Sequence, residues 1–277
     1  YLDYSFETLK AERRKFDTDD FLWNNLGAGQ DNRLEDVASS KSQAKLISFF
    51  ARANYTLKDR YMLTATIRRD GSSRFGTNHK WGTFPSAAFA WRVNQENFLK
   101  DVSWIDNLKL RVSYGIVGNQ NGIGNYTTLG LTDQERYEFG DNSYMGYLPG
   151  KELSNPNLKW EQSRTANIGL DFGFFNNRLS GTIEYYNTRT TDLIVKREIN
   201  SVLGYEQMLD NLGETKSHGI DISINGDVFR TKNFTWSLGA NFSQYANEIV
   251  KIDNQVDENG KPLSQPGNSW FVGKPIH

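Results

Sequence analysis

Polar and apolar residues alternate, one for one, along most of this chain from Ala44 onward, and that period of two restricts it to β-strands with unlike faces. In Tyr61 to Arg68 the apolar set is Tyr61, Leu63, Ala65 and Ile67, against Thr64, Thr66 and Arg68, with Met62 the exception. Leu108, Leu110, Val112, Tyr114 and Ile116 alternate with Lys109, Arg111, Ser113 and Gly115. Phe234, Trp236, Leu238, Ala240 and Phe242 alternate with Thr235, Ser237, Gly239, Asn241 and Ser243. Weaker alternation at 45–57, 84–94, 162–173, 179–195 and 215–229 brings the expected total to about eight antiparallel strands. Many reach ten residues. Soluble strands average about 5–6 residues, whereas a tilted membrane-crossing strand needs about 9–11.

The connections carry a second signal. Short turns are expected at Lys58-Asp59, at Phe174 to Arg178 around Asn176-Asn177, and at Arg230 to Asn233. Between them lie long segments at 70–83, 118–160 and 197–213, so short and long links alternate. Segment 95–106 reads as a short helical turn on the short-link side, and 15–42 reads as another long loop after a strand end at Tyr1 to Leu9. Short periplasmic turns opposite long extracellular loops are the asymmetry of outer-membrane barrels. The expected fold is therefore all-β, an antiparallel transmembrane β-barrel section. The alternative is a secreted β-sandwich that binds carbohydrate through loop aromatics. The two differ in whether the apolar strand faces pack on each other or point outward.

Composition fits the barrel. Mean hydropathy is −0.65, yet 17 Phe, 13 Tyr and 7 Trp are present, as expected when one strand face meets lipid and the other water. Lys and Arg number 32 against 33 Asp and Glu, so no basic excess points to nucleic acid. No apolar run approaches the ~18 residues of a membrane helix. No signal peptide is expected in Tyr1-Leu2-Asp3-Tyr4, which has neither a charged nor an apolar leader segment.

Catalytic and metal-binding patterns are weak. The absence of cysteine removes thiolate sites, and His79, His218 and His277 have no metal-ligand spacing. Gly118 to Gly124 lacks the order of a phosphate loop, and Asp253 to Gly260 lacks the terminal glutamate of a calcium loop. Asp19-Asp20 has nothing to shift its pKa values, so no glycosidase pair is expected. The chain is read as neither an enzyme nor a holder of any cofactor or metal.

Ordered motifs add a resemblance. Arg68-Arg69-Asp70-Gly71-Ser72-Ser73-Arg74-Phe75-Gly76 precedes Trp81-Gly82-Thr83-Phe84-Pro85-Ser86 and Trp91-Arg92. Leu108-Lys109-Leu110-Arg111-Val112-Ser113-Tyr114-Gly115 leads to Gly118-Asn119-Gln120. Further on come Asn155-Pro156-Asn157-Leu158-Lys159-Trp160-Glu161, Asn167-Ile168-Gly169-Leu170-Asp171 and His218-Gly219-Ile220-Asp221. Over residues 45–250 this series resembles the SusC/RagA-like TonB-dependent outer-membrane transporters. The resemblance implies a barrel of about 22 strands, a plug in its lumen, and energy delivered by TonB. It also implies a SusD-like lipoprotein lid and uptake of oligosaccharides, or peptides in some members. On that reading residues 1–277 are one section of a single barrel domain in the outer membrane of a Gram-negative, Bacteroidetes-like bacterium. The plug, the TonB-contacting region and the last strands are expected outside it.

Candidate cargo contacts follow from chemistry, because sugar C–H faces stack on aromatic rings and loops present binding groups. Loop aromatics Trp81, Tyr126, Tyr144, Tyr147 and Trp160 are the expected substrate-binding residues, with Tyr137 beside them, and loops 118–160 and 197–213 are expected to set selectivity. Arg68 and Arg74 are expected to pair with lumen or plug carboxylates, and Asp70-Gly71-Ser72-Ser73 to shape its own loop. Tyr55, Tyr61, Trp91, Tyr185 and Tyr186 are read as interface girdles. Arg52, Arg92, Arg111, Asp171, Glu184 and Asp221 are read as wet-lumen residues.

Overall fold

The structure, a computed structural model, describes residues 2–14, 37–140, 142–200, 202 and 204–276. The described strands are β1 Leu2–Arg14, β2 Val37–Leu57, β3 Tyr61–Ser72, β4 Trp81–Arg92, β5 Ile105–Asn119, β6 Thr132–Phe139, β7 Asn142–Pro149, β8 Glu152–Leu153, β9 Glu161–Phe174, β10 Leu179–Glu198, β11 Gln207–Arg230 and β12 Thr235–Lys251. Nine of them form one antiparallel meander in the order β1-β2-β3-β4-β5-β9-β10-β11-β12, with β8 added in parallel to the start of β11. β6 and β7 form a separate hairpin. The eight expected strands are all present as β2–β5 and β9–β12. The strand end expected at the start of the chain is β1, while residues 15–36 of the expected loop lie outside the described residues and 37–42 belong to β2.

The registers fix two faces. One row runs Tyr55, Leu63, Phe89, Val112, Ile168, Tyr185, Ile220 across seven strands, each residue directly opposite the next. Leu63, Phe89, Val112, Ile168, Ile183, Ile220 and Phe242, all on this face, are between 41% and 55% exposed. No second sheet packs on it among the described residues, which removes the sandwich alternative. The opposite face carries Arg52, Thr64, Ser113, Asn167, Thr182, Ser223 and Asn241. Tyr186 belongs to this polar face and not to a girdle: its hydroxyl sits where a Cβ on Gly219 would lie, 2.6 Å away, whereas Tyr185 lies in the apolar row.

The apolar rows stop part-way up the strands. On β10 Leu179, Ile183 and Tyr185 give way to Asn187 and Arg189, and on β11 Ile224, Ile222 and Ile220 give way to His218 and Lys216. Roughly eight residues at ~3.3 Å each rise ~26 Å along the strand and ~20 Å across a bilayer once tilted by ~40°, near the ~25 Å of an apolar band. Above it the strands continue, so β10 and β11 reach 20 and 24 residues.

The short-link rim is built from tight turns. Lys58 and Asp59 both adopt positive φ (53° and 54°), the backbone of a two-residue turn whose twist matches the flanking strands. The helical turn expected over 95–106 begins earlier, as a 3-10 turn at Val93–Gln95, and continues as i→i+3 turns through Leu99, Val102 and Ile105. Glu96 stands in this segment and clasps the rim. Its carboxylate accepts hydrogen bonds from Tyr61 Oη (2.5 Å), Trp91 Nε1 (3.0 Å) and Arg60 Nη1 (3.1 Å). The Tyr61 and Trp91 hydrogen bonds, helped by the Arg60 charge, hold this carboxyl below the usual glutamate range. A depressed folded pKa adds stability above the unfolded value of about 4.3, and that stability is lost as pH falls through the folded value. Acid titration below about pH 4.3 is therefore expected to shift Trp91 fluorescence, and Glu96→Gln to abolish the shift; an unchanged titration in the variant contradicts the clasp.

Candidate functional site

The polar face carries a charged network at mid-height. Lys109 Nζ lies 2.7 Å from Asp171 Oδ2, and Arg111 Nη2 lies 2.9 Å from Asp171 Oδ1 and 3.3 Å from Glu184 Oε2. Asn167 donates its amide to the other Glu184 oxygen. Gly169 stands between Arg111 and Glu184 in the register, and a Cβ there would come 2.9 Å from Arg111 Nη2. Glycine thus leaves the guanidinium room to cross β9 and reach β10. These groups are part-exposed and pair with each other, so each contributes about 0–1 kcal/mol and the network keeps the wall neutral but polar. Asp221 is likewise satisfied, by Ser243 Oγ at 2.5 Å, and Arg52 donates to Thr66 Oγ1 at 3.1 Å.

Above the band, the long links pack into a small core of their own. Phe75, Phe84, Ile123, Leu158 and Trp160 are buried together, with Leu46, Ile116, Ile194 and Leu209 against them. Trp160 packs on Phe75 with ring centres 4.7 Å apart and meets Phe84 edge-on at 5.5 Å. Gly76 must be glycine, because a Cβ would fall 1.7 Å from the Pro156 carbonyl oxygen. The Asn155–Glu161 segment is stitched to the upper strands by side-chain amides. Asn155 donates to the Leu209 carbonyl (2.9 Å), and Asn211 bonds both the amide and the carbonyl of Lys159 (2.8 Å each). Glu161 accepts from Asn119 (2.6 Å) and from the Ile194 N–H (2.9 Å), a donor released by the bulge around Asp192, whose φ is 59°. Arg68 bonds Asp70 (2.8 Å) and Ser48 (3.1 Å), so its carboxylate partner is on its own strand.

Beside this core a cleft of about 380 Å³ opens between the start of β2, loop 73–80 and segment 125–129. Its lining includes Lys45, Ser73, Thr77, Lys80, Tyr126 and Thr128, and among the described residues no Asp or Glu. The Tyr126 hydroxyl accepts the Gln43 N–H at 2.8 Å, which fixes the ring at the cleft wall.

The five expected cargo contacts do not converge. Tyr126 lines the cleft. Trp160 is 6% exposed with its Nε1–H donated to the Lys80 carbonyl at 3.1 Å, so it offers no face and is a core residue. Trp81 lies in the apolar row opposite Gly71, stacked on Phe49 at 6.1 Å under Arg69; it is an outward residue at the upper edge of the band, not a loop contact. Tyr144 and Tyr147 sit on the β6–β7 hairpin, on opposite faces, both more than half exposed, and Tyr137 lies across Gly146. This hairpin falls inside the expected loop 118–160. Its short strands pair only with each other, and a mixed run such as Thr132-Asp133-Gln134-Glu135-Arg136 has no apolar alternation to mark it. Lys45, Thr77 and Lys80 escape sequence reading altogether, and Ser73 is legible only as a residue that shapes its own loop, because only the fold brings them to one cleft.

Comparison with known proteins places these features in context. The family model described as "TonB dependent receptor-like, beta-barrel" matches residues 2–273. The TonB-dependent receptor SusC of Bacteroides thetaiotaomicron is 41% identical over 250 residues, covering 86% of this chain and 25% of that protein. The TonB-dependent receptor P26 of Formosa agariphila is 35% identical over 274 residues, covering 97% and 27% respectively. Among solved structures, the RagAB peptide importer in its closed-closed state superposes with a TM-score of 0.77 at 30% identity, over 88% of this chain and 26% of that one. The chain spans about a quarter of the length of the curated relatives it matches.

Proposed function

Because the chain belongs to the TonB-dependent receptor β-barrel family, we propose that it forms a section of wall and outer loops in an outer-membrane transporter that imports oligosaccharides, with peptides as the second cargo class. The observation that carries this reading is the split sheet: an apolar face exposed as a band across the lower part of the strands, backed by a polar face with the Lys109–Arg111–Asp171–Glu184 network. The first suits lipid and the second a wet lumen. The short-link rim then faces the periplasm and the loop core faces outward.

Import is powered through TonB, which contacts a region of the parent protein beyond this section, and a SusD-like lipoprotein closes the outer mouth. The section itself performs no catalysis and holds no cofactor; it contributes the wall, the Tyr126 cleft and the β6–β7 hairpin, where selectivity resides. Its bacterium is Gram-negative and Bacteroidetes-like, in keeping with the named relatives. Growth on single carbon sources tests the reading. Deleting the parent gene, or the TonB gene, is expected to abolish growth on the cognate oligosaccharide and leave growth on glucose intact. A deletion strain that grows normally on every oligosaccharide and peptide tried contradicts it.

A further inference from the structure

The cleft beside the loop core has a chemistry that narrows the cargo. Lys159, Arg189, Lys196 and Arg197, at the same rim, each pair with a carboxylate within 3.7 Å. Lys80 differs: its side chain is exposed at the cleft edge and has no ion-pair partner among the described residues. Lys45 lines the same cleft, its backbone N–H held by Ser73 Oγ at 2.9 Å. Among the described residues no acidic side chain lines the space that these two lysines border, and the Lys80 ammonium gives it a positive edge. Around them stand the hydroxyls of Ser73, Thr77 and Thr128 and the amides of Gln43 and Asn125, with the Tyr126 ring at the wall.

We propose that this cleft binds an acidic sugar unit, one bearing a carboxylate or sulfate, with Lys80 as the residue that meets the charge. The proposal rests on the transport reading above and names the cargo class within it. The volume, about 380 Å³, lies at the lower end of the range for small-ligand sites, about 300–1,000 Å³, and suits one or two sugar rings. Hydroxyl and amide groups answer ring hydroxyls, and an aromatic wall answers the apolar C–H face. A charge-assisted hydrogen bond from an ammonium is about twice as strong as a neutral one, which favours an acidic over a neutral sugar. A peptide of the same charge offers no ring to stack and fewer hydroxyls to bond.

The test uses the full-length transporter that contains this chain, purified in detergent, with calorimetry of trigalacturonate, a sulfated galactose trisaccharide, neutral galactotriose and triglutamate. At least one acidic trisaccharide is expected to bind best. Lys80→Gln is expected to weaken it by about tenfold, the loss of one charge-assisted contact, while galactotriose binding is unchanged and Lys80→Arg restores most of the affinity. Because Lys80 is exposed, the variant is expected to fold, which heat-modified mobility on gels verifies. Three outcomes overturn the proposal: neither acidic trisaccharide binds, Lys80→Gln leaves acidic-sugar affinity intact, or triglutamate binds as tightly with the same loss. Failure of the transport reading is distinct, since it shows as unimpaired growth of the deletion strain.

Discussion

Arginine in place of Ile222 is expected to destabilise the barrel in a bilayer by about 2–4 kcal/mol, while arginine in place of its neighbour Ser223 is expected to cost little. The two positions are adjacent in β11 and differ only in face. Ile222 lies between Ile183 on β10 and Phe242 on β12, in the middle of the apolar band. Ser223 lies between Thr182 and Asn241, two residues from Asp221 on the same face, where a cation meets water and a carboxylate. Urea titration of the transporter refolded in lipid vesicles measures both. Equal losses, or the larger loss at Ser223, would contradict the assignment of faces.

Leu158→Ala is expected to carry a comparable penalty by another mechanism. Leu158 is wholly buried in the loop core. Truncating such a residue costs about 2–5 kcal/mol, part from lost transfer energy and part from the cavity left behind. The core sits beyond the band, so the cost falls on the loops and not on the wall. Faster amide exchange is expected at Lys159 and Leu209, while exchange in β3 and β9 stays slow. Leu129→Ala, at a 57% exposed position, serves as the control and is expected to change stability by less than about 0.5 kcal/mol. Undisturbed exchange in the Leu158 variant refutes the idea that this core organises the loops.

The wall was legible in the sequence because alternation states the face of every residue in a strand. Tyr61, Leu63 and Ile67 declare an apolar face regardless of what lies opposite, and the structure pairs them with Trp91, Phe89 and Pro85 of the same kind. Strand ends were less legible. Alternation fades where both faces become wet, so the start of β11 at 207–213 and the last residues of β10 read as loop, while the Asp192 bulge lies unmarked inside the expected strand 179–195. The same limit hid the β6–β7 hairpin, which has no lipid side to pattern it.

Site residues fared differently for a physical reason. An aromatic ring in a long link serves equally well in a loop core or a ligand cleft, and only the fold separates Trp160 from Tyr126. Trp81 reads as a loop residue when the strand is begun at 84; β4 begins at Trp81, and its even spacing from Phe89 and Trp91 then carries it onto the apolar face. Lys80, its neighbour, carried no pattern at all; its significance comes from the lack of carboxylates among the described residues that line the cleft.

The central claim is that one face of this sheet meets lipid and the other water. Spin labels on single cysteines in a cysteine-free transporter, reconstituted in lipid, test it most directly. The pairs are Val112→Cys with Ser113→Cys, Ile168→Cys with Asn167→Cys, and Phe242→Cys with Asn241→Cys. The first member of each pair is expected to relax with dissolved oxygen and to resist a water-soluble nickel complex, and the second to do the reverse. If both members of every pair are reached by nickel alike, the apolar face does not lie in a membrane.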